Sequence, residues 1–259
     1  MAKKIIDFLN SHILRKVPEI TVFFWIIKLL TTAMGESTSD FMVHHLSPVI
    51  AVLIGASAFA VSLIIQFCVK KYIPFAYWFS ITMVAIFGTM VADILHVGLR
   101  VPYIVSTSLF LISLLVILFA WHFSEKTLSI HSINTRKREI FYWLTVIATF
   151  ALGTAAGDMT ATTLHLGYLT SGVVFGLLFL LPLLAYKNFH VNEVFTFWCA
   201  YIMTRPFGAS FADWTGRARD LGGIGWGTGR VSISLGILII LCVTYLTISH
   251  IDVKYNPSR

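Results

Sequence analysis

Four times along its 259 residues this chain repeats one pattern: Trp, nine residues, Gly, three residues, a small residue, then Asp. The copies are Trp25/Gly35/Ser39/Asp40, Trp78/Gly88/Ala92/Asp93, Trp143/Gly153/Gly157/Asp158 and Trp198/Gly208/Ala212/Asp213. An internal repeat constrains a fold more tightly than local propensity does, because neighbouring units must share the burial of their apolar faces. Each copy also sits in an apolar segment and ends in a carboxylate, and an ionisable group at membrane depth marks a functional hypothesis.

The chain is 57% hydrophobic and only 12% charged, which excludes a water-soluble domain and indicates a polytopic membrane protein. Apolar stretches of about 20 residues suffice to cross a hydrocarbon layer of about 30 Å. Eight are expected, near 19–41, 46–69, 74–97, 103–123, 139–163, 166–186, 193–213 and 231–250. The fold expected is therefore all-α, with eight transmembrane helices as four parallel two-helix repeats. Repeat 1 is placed at 18–70, repeat 2 at 71–123, repeat 3 at 139–187 and repeat 4 at 188–250, with a cytoplasmic loop at 124–138 and a tail at 251–259.

The first apolar stretch carries Lys28 and Glu36 and opens a repeat, so it does not read as a cleavable signal. Ahead of it, in segment 1–17, apolar Ile5, Ile6, Phe8, Leu9, Ile13 and Leu14 alternate with Lys3, Lys4, Arg15 and Lys16. This suits either a helix lying on the membrane surface or a simple cytoplasmic tail. Basic residues set orientation. Thirteen Lys and Arg fall on the side of the termini, against Arg100, Arg217, Arg219 and Arg230 on the other, which places both termini in the cytoplasm. The net charge of +7 is thereby assigned to topology and anionic lipid, and no nucleic-acid partner is implied.

Because each repeat holds two spans, all four copies enter the membrane in the same direction and are related by axes along its normal. Trp to Asp is fifteen residues, about 22 Å of helix. Tryptophans at or near the inner interface would put Gly35, Gly88, Gly153 and Gly208 near the middle and the aspartates in the outer third. Gly and the small residue, four apart, form the small-xxx-small pattern that lets helices approach closely in lipid. The four odd-numbered helices are thus expected as an inner cluster and the even-numbered ones as a lipid-facing shell.

The candidate site follows from that clustering. Asp40, Asp93, Asp158 and Asp213 border the packed seam, joined by Glu36 on the stripe Lys28, Thr32, Glu36, Asp40, His44. His44, His96 and His165 trail three of the acids at distances that keep a helical face, giving secondary metal ligands, proton carriers, or helix caps. Lys28 and Arg205 are the basic groups in the membrane interior, each placed below the acid on its own helix. They read either as structural ion partners or as internal counter-ions that hold the empty site. Pro206 is expected to kink its helix. The glycine-rich stretch from Thr215 to Arg230 lacks the Lys-Ser/Thr ending of a phosphate loop, which argues against nucleotide binding and fits an outer gate or re-entrant segment. Cys68, Cys199 and Cys242 lie singly and read as packing residues.

Trp25, Trp78, Trp143 and Trp198, with their glycines and aspartates, make the chain resemble a bacterial inner-membrane family known only as a domain of unknown function. That family is built from four tandem two-helix repeats, each with a tryptophan. The resemblance covers almost the whole chain and implies architecture and location without an activity. The first copy departs by adding Lys28 and Glu36, the fourth by lacking a trailing His, so any site would be asymmetric.

The function expected is a secondary transporter of a small cation, most plausibly a divalent metal such as manganese, coupled to protons. Carboxylates suit magnesium, calcium or manganese, and imidazoles shift the balance toward a transition metal. The alternatives are a pseudo-tetrameric cation channel and a non-transporting membrane scaffold or assembly protein. An enzyme is not expected, since no hydroxyl or thiol nucleophile stands beside a His. No cofactor is implied beyond the transported ion; the partners are the lipid bilayer, a small cation and, as an open question, further copies of the chain.

Overall fold

The computed structural model describes residues 16–253. The surface helix expected within segment 1–17 lies almost wholly outside the described residues, as does the tail from Lys254. Among the described residues the chain is helical, with no strand. Eight long helices follow in order: α1 (Val22–His45), α2 (Pro48–Cys68), α3 (Pro74–Asp93), α4 (Tyr103–Glu125), α5 (Arg136–Asp158), α6 (Gly167–Phe189), α7 (Glu193–Gly216) and α8 (Thr228–Ser249). Their starts are written locally. Thr21, Ser47, Thr135 and Asn192 each accept a hydrogen bond from a backbone N–H of the first turn, and Pro48 and Pro74 occupy first-turn positions where no donor is needed.

Helices α2 to α6 and α8 are long and apolar enough to cross a membrane. Helices α1 and α7 have the length, 24 residues each, but carry Lys28, Glu36 and Asp40 on the one and Glu193, Arg205 and Asp213 on the other.

The glycines explain the arrangement of the odd-numbered helices. A Cβ added to Gly35 would meet Ala85; on Gly88 it would lie 2.9 Å from Phe150; on Gly153 it would meet Arg205; on Gly208 it would meet Thr32. In every case the residue met stands three positions before the glycine of the next repeat. The contacts run α1 to α3 to α5 to α7 and back to α1, a closed ring with pseudo-fourfold symmetry. Close backbone approach of this kind is what small residues permit in lipid, where helix association relies on van der Waals contact.

A second ring of the same symmetry lies about three turns away, at the tryptophan end. The residue before each tryptophan is aromatic, and it packs on the tryptophan of the next repeat. The ring centroids are 5.6 Å apart for Phe24 and Trp78, 5.9 Å for Tyr77 and Trp143, 6.3 Å for Tyr142 and Trp198, and 5.7 Å for Phe197 and Trp25. The tryptophans expected near the interface therefore serve as mutual packing. Trp78, Trp143 and Trp198 are buried and Trp25 is partly so.

The even-numbered helices form the outer shell. In their most apolar stretches α2, α4, α6 and α8 bury 17, 17, 22 and 33% of residues, against 61 and 72% for α3 and α5. Their partners are not simply those of their own repeat. Helix α2 packs mainly on α3, α4 on α5, α6 on α7, and α8 on α1, so each repeat lends its outer helix to the inner helix of the next. No two-helix unit has a complete packing surface of its own.

Replacing a ring glycine with alanine should therefore be costly. At Gly35 the added methyl would press on the Ala85 backbone as well as its side chain, and overpacking of about 2 kcal/mol or more is expected. The melting midpoint of Gly35→Ala in detergent should fall by roughly 4–8 °C. Gly172→Ala, which would only reach ordinary contact at 3.5 Å with Ser210, should leave it unchanged.

Candidate functional site

Viewed along the ring axis, equivalent positions stack as layers one helical turn apart. Seven residues before the glycines stand Lys28, Ile81, Val146 and Tyr201; three before them, Thr32, Ala85, Phe150 and Arg205; one after them, Glu36, Thr89, Thr154 and Ala209; five after them, the four aspartates. Only the last layer is fourfold in chemistry. The layers beneath it mix residue types from repeat to repeat, so the interior is asymmetric inside a symmetric frame.

Arg205 fills the centre of the ring and is completely buried. Its Nη2 donates to Glu36 Oε2 at 2.8 Å, to Thr154 Oγ1 at 2.7 Å and to the Thr89 hydroxyl, while Nη1 donates to the Thr32 carbonyl at 3.1 Å. One guanidinium on α7 thus engages α1, α3 and α5 together. Its carboxylate partner is Glu36 on α1 and not Asp213 on its own helix, so the expected same-helix pairing is replaced by one across the ring. Lys28 departs further. Its ammonium has no hydrogen-bond acceptor and no carboxylate within 4.0 Å among the described residues; it lies instead 4.0 Å from the Phe150 ring centroid and 3.9 Å from that of Tyr201. A cation over aromatic faces recovers part of its desolvation cost, but Lys28 is not a counter-ion to the acids.

The acids do converge at the aspartate end. Carboxylate oxygens of Glu36, Asp158 and Asp213 all lie within 4.8 Å of one another. Arg217, at the end of α7, donates from Nε to Asp213 Oδ1 at 2.8 Å and reaches Asp40 Oδ2 at 3.2 Å, tying α7 to α1. Asp93 faces the charges of Glu36, Asp40 and Asp213. Glu36, Asp40 and Asp213 are buried, whereas Asp93 and Asp158 are partly exposed and have no basic partner within 4.0 Å among the described residues. Five carboxylates therefore face two arginines. Lys28, twelve residues before Asp40 and so about 18 Å along α1, is too distant to balance them.

The three histidines are not brought into this cluster. The His44 Nδ1 atom pairs with the Asp40 backbone carbonyl at 2.6 Å, and the side chain is exposed. His96 stacks on Tyr103 at 4.3 Å and shares a 3.3 Å hydrogen bond with Ser106. His165 is exposed in a left-handed turn, φ 55°. The cause is local. Directly after Asp93 and Asp158 the helices change to a wider π turn, Ile94–Gly98 and Met159–Thr163, and the smaller rotation per residue carries the trailing imidazoles off the acidic face. A periodicity argument at 3.6 residues per turn assumes no such change.

The glycine-rich stretch, read from the sequence as a gate or re-entrant segment, is fastened back onto the end of α7. Backbone N–H groups of Ile224, Gly225, Trp226 and Gly227 donate to carbonyls of Trp214, Arg217, Thr215 and Gly216 at 2.7–3.1 Å. Glycine is required at 222, 225 and 227, where φ is 85–86°. Sequence reasoning missed the hydroxyl ligands Thr89 and Thr154 on Arg205, the bridge from Arg217 to Asp40, and Tyr201 over Lys28. Aligning the four copies residue by residue would have found the first and last, since both share a layer with a charged residue of another repeat.

What these features define is an all-helical membrane-type protein of four tandem repeats, closed into a pseudo-fourfold ring around a charged axis. Its sequence matches the family described as Repeat of Unknown Function (DUF347) at residues 23–72, 76–127, 141–190 and 196–252. The chain belongs to that family. No curated protein and no solved structure matches it.

The Arg205 to Glu36 pair can be measured directly. Removing one member leaves a buried charge alone and should cost about 3–5 kcal/mol. Glu36→Gln and Arg205→Met should each destabilise the protein strongly in thermal unfolding, and the double variant should lose clearly less than their sum. Additive losses would show that the two groups are not coupled.

Proposed function

We propose that this protein is a secondary transporter of a small cation, a divalent metal, coupled to protons and bound by the carboxylate cluster. The observation that carries the reading is the charge imbalance at the aspartate end: five carboxylates face two guanidiniums. Negative groups held together in a membrane interior require protons or bound cations. A hard divalent ion binds oxygen at roughly 2.0–2.6 Å, so two of its ligand oxygens can stand at most about 4–5 Å apart. The 4.8 Å limit within Glu36, Asp158 and Asp213 fits the upper part of that range. With the imidazoles away from the cluster, the donor set is all oxygen, which suits magnesium, calcium or manganese and removes the argument for a softer metal.

All eight helices are read as spans. Helices α1 and α7 meet α3 and α5 at the level of the ring glycines, and Lys28, Glu36, Asp40, Arg205 and Asp213 are buried there, away from lipid. The distribution of Lys and Arg favours a cytoplasmic side for both termini, which turns the aspartate end outward, and the resemblance to a bacterial inner-membrane family suggests that membrane. The channel reading is weaker because Arg205, Lys28 and the aromatic layers occupy the axis below the acids. A scaffold needs no such acidic cluster.

The test is uptake of Mg2+, Ca2+, Mn2+, Na+ and K+ into proteoliposomes that enclose a pH dye. Wild type should show saturable movement of at least one of these ions with an opposing pH change. Asp93→Asn with Asp158→Asn, which removes the two unpaired acids, should lower that movement by roughly tenfold or more while the protein stays monodisperse. No movement of any cation through inserted wild-type protein would overturn the reading and favour the scaffold.

A further inference from the structure

Some basic side chains at the tryptophan end are answered by acid: Lys137 and Arg138 both reach Glu125, at 3.2 and 2.9 Å. Another group is not. Between the end of α2 and the start of α5 lies a cavity of about 350 Å³, and Lys16, Lys70 and Arg136 all line it, with Phe67, Cys68 and Asn134.

Two of these cations are held in place. Phe67 is in the last turn of α2, where a helix leaves its carbonyls without partners, and its carbonyl accepts from Arg136 Nη1 at 2.8 Å and from Lys16 Nζ at 3.4 Å. The Arg136 guanidinium also lies 5.1 Å from the Phe67 ring centroid. Glu139 binds Lys16 at 2.7 Å and stands 3.9 Å from Arg136, but it is buried and forms no part of the cavity wall. Lys70 is exposed and has no carboxylate within 4.0 Å among the described residues. Three cations therefore share one carboxylate, and α5 adds the positive end of its dipole.

The approach to the cavity is apolar. On α2, Ile64 and Ile65 are exposed one turn before Cys68. On α5, Leu144, Ile140 and Arg136 follow at four-residue spacing and are all exposed, so an apolar stripe on one helix face ends in a cation. A soluble anion has no use for such a stripe, whereas the acyl chain of a lipid lies along it as the headgroup meets the cations.

We propose that this cavity binds the phosphate headgroup of an anionic glycerophospholipid in the leaflet at the tryptophan end. Basic pockets between membrane helices bind such headgroups. The planar Arg136 fork suits two phosphate oxygens at once, Lys16 and Lys70 supply point charges, and the Asn134 amide can donate to headgroup hydroxyls. The surplus of two positive charges disfavours a zwitterionic headgroup, whose amine would add a third. A bound lipid would bridge the segment ahead of α1, the end of α2 and the start of α5, and so brace the first repeat against the third. The inference stands apart from the transport reading, since the cavity is at the opposite end of the molecule from the acids.

The test is thermal unfolding of the full chain in uncharged detergent, titrated with phosphatidylglycerol, with zwitterionic phosphatidylethanolamine, or with glycerol 3-phosphate as a soluble form of the same phosphate. Phosphatidylglycerol should raise the midpoint saturably, as a ligand of the folded state does, and the other two should not. Lys70→Gln with Arg136→Gln should raise the half-saturating lipid concentration by roughly tenfold or more. Lys137→Gln with Lys187→Gln, which removes two exposed cations from the same end but outside the cavity, should leave it unchanged. If the cavity pair does not fold, Lys70→Gln alone decides, with a rise of roughly fivefold. Equal losses in the two double variants would show general attraction of lipid to a basic face, and an equal response to glycerol 3-phosphate would show a soluble-anion site. An equal response to phosphatidylethanolamine would show that charge is not what is recognised. Each of these overturns the proposal, as does a midpoint that phosphatidylglycerol leaves unmoved.

Discussion

Backbone approach at four glycines is the constraint from which the rest of this molecule follows. Gly35, Gly88, Gly153 and Gly208 leave no room for a Cβ against the next inner helix, so the four inner helices are drawn to a separation that larger residues would forbid. Once they are that close, the helical period determines what meets on the axis. Positions one and five residues beyond each glycine turn inward, and those positions hold Glu36 and the aspartates. The charge cluster is therefore enforced by packing, and its electrostatic cost is borne by contacts elsewhere in the ring. The cyclic pairing of aromatic residues at the other end, together with outer helices that pack on the following repeat, distributes that load over all four units.

The frame is symmetric but its contents are not, and the difference has a physical logic. Four identical layers of carboxylate could not be buried together without opposing charge. A single Arg205, placed where the other repeats have Thr32, Ala85 and Phe150, reaches all three neighbouring helices at once. Its planar fork of donors suits that task better than a point charge would. Thr89 and Thr154 act as the neutral counterparts of Glu36, accepting hydrogen bonds without adding negative charge. One arginine thus satisfies a ring whose outer layer still carries more acid than base.

Much of this was legible in the sequence because it depends on spacing. The repeat, the inner cluster, the outer shell and the convergence of the acids all follow from residues at fixed intervals on regular helices. What was not legible depends on departures from regularity or on contacts between helices distant in sequence. His96 and His165 leave the acidic face because π turns follow Asp93 and Asp158, and nothing in the residues at those turns announces them. Arg205 chooses Glu36, 169 positions away, over an acid on its own helix, which only the closure of the ring can dictate. The tryptophans read as interface anchors because that is their usual place in membrane helices; the aromatic residue preceding each of them was the overlooked sign of mutual packing.

The axis is also unequal along its length, and this bears on any passage through it. At the aspartate end Asp93 and Asp158 keep partial exposure, so an ion can reach carboxylate from that side without disturbing the ring. Toward the tryptophan end the route is filled by Arg205, then Lys28 between Phe150 and Tyr201, then the collar of aromatic rings. A cation arriving at Glu36 competes with the Arg205 guanidinium for the Glu36 carboxylate, which Arg205 already holds through Oε2 at 2.8 Å. Binding from the open side would therefore loosen the one side chain that links α7 to α1, α3 and α5 at the centre. On the transport reading, occupancy of the site and opening of the closed end are coupled through a single guanidinium. The same arrangement explains why an empty site would stay sealed: with no cation bound, Arg205 is the charge that Glu36 has to hold.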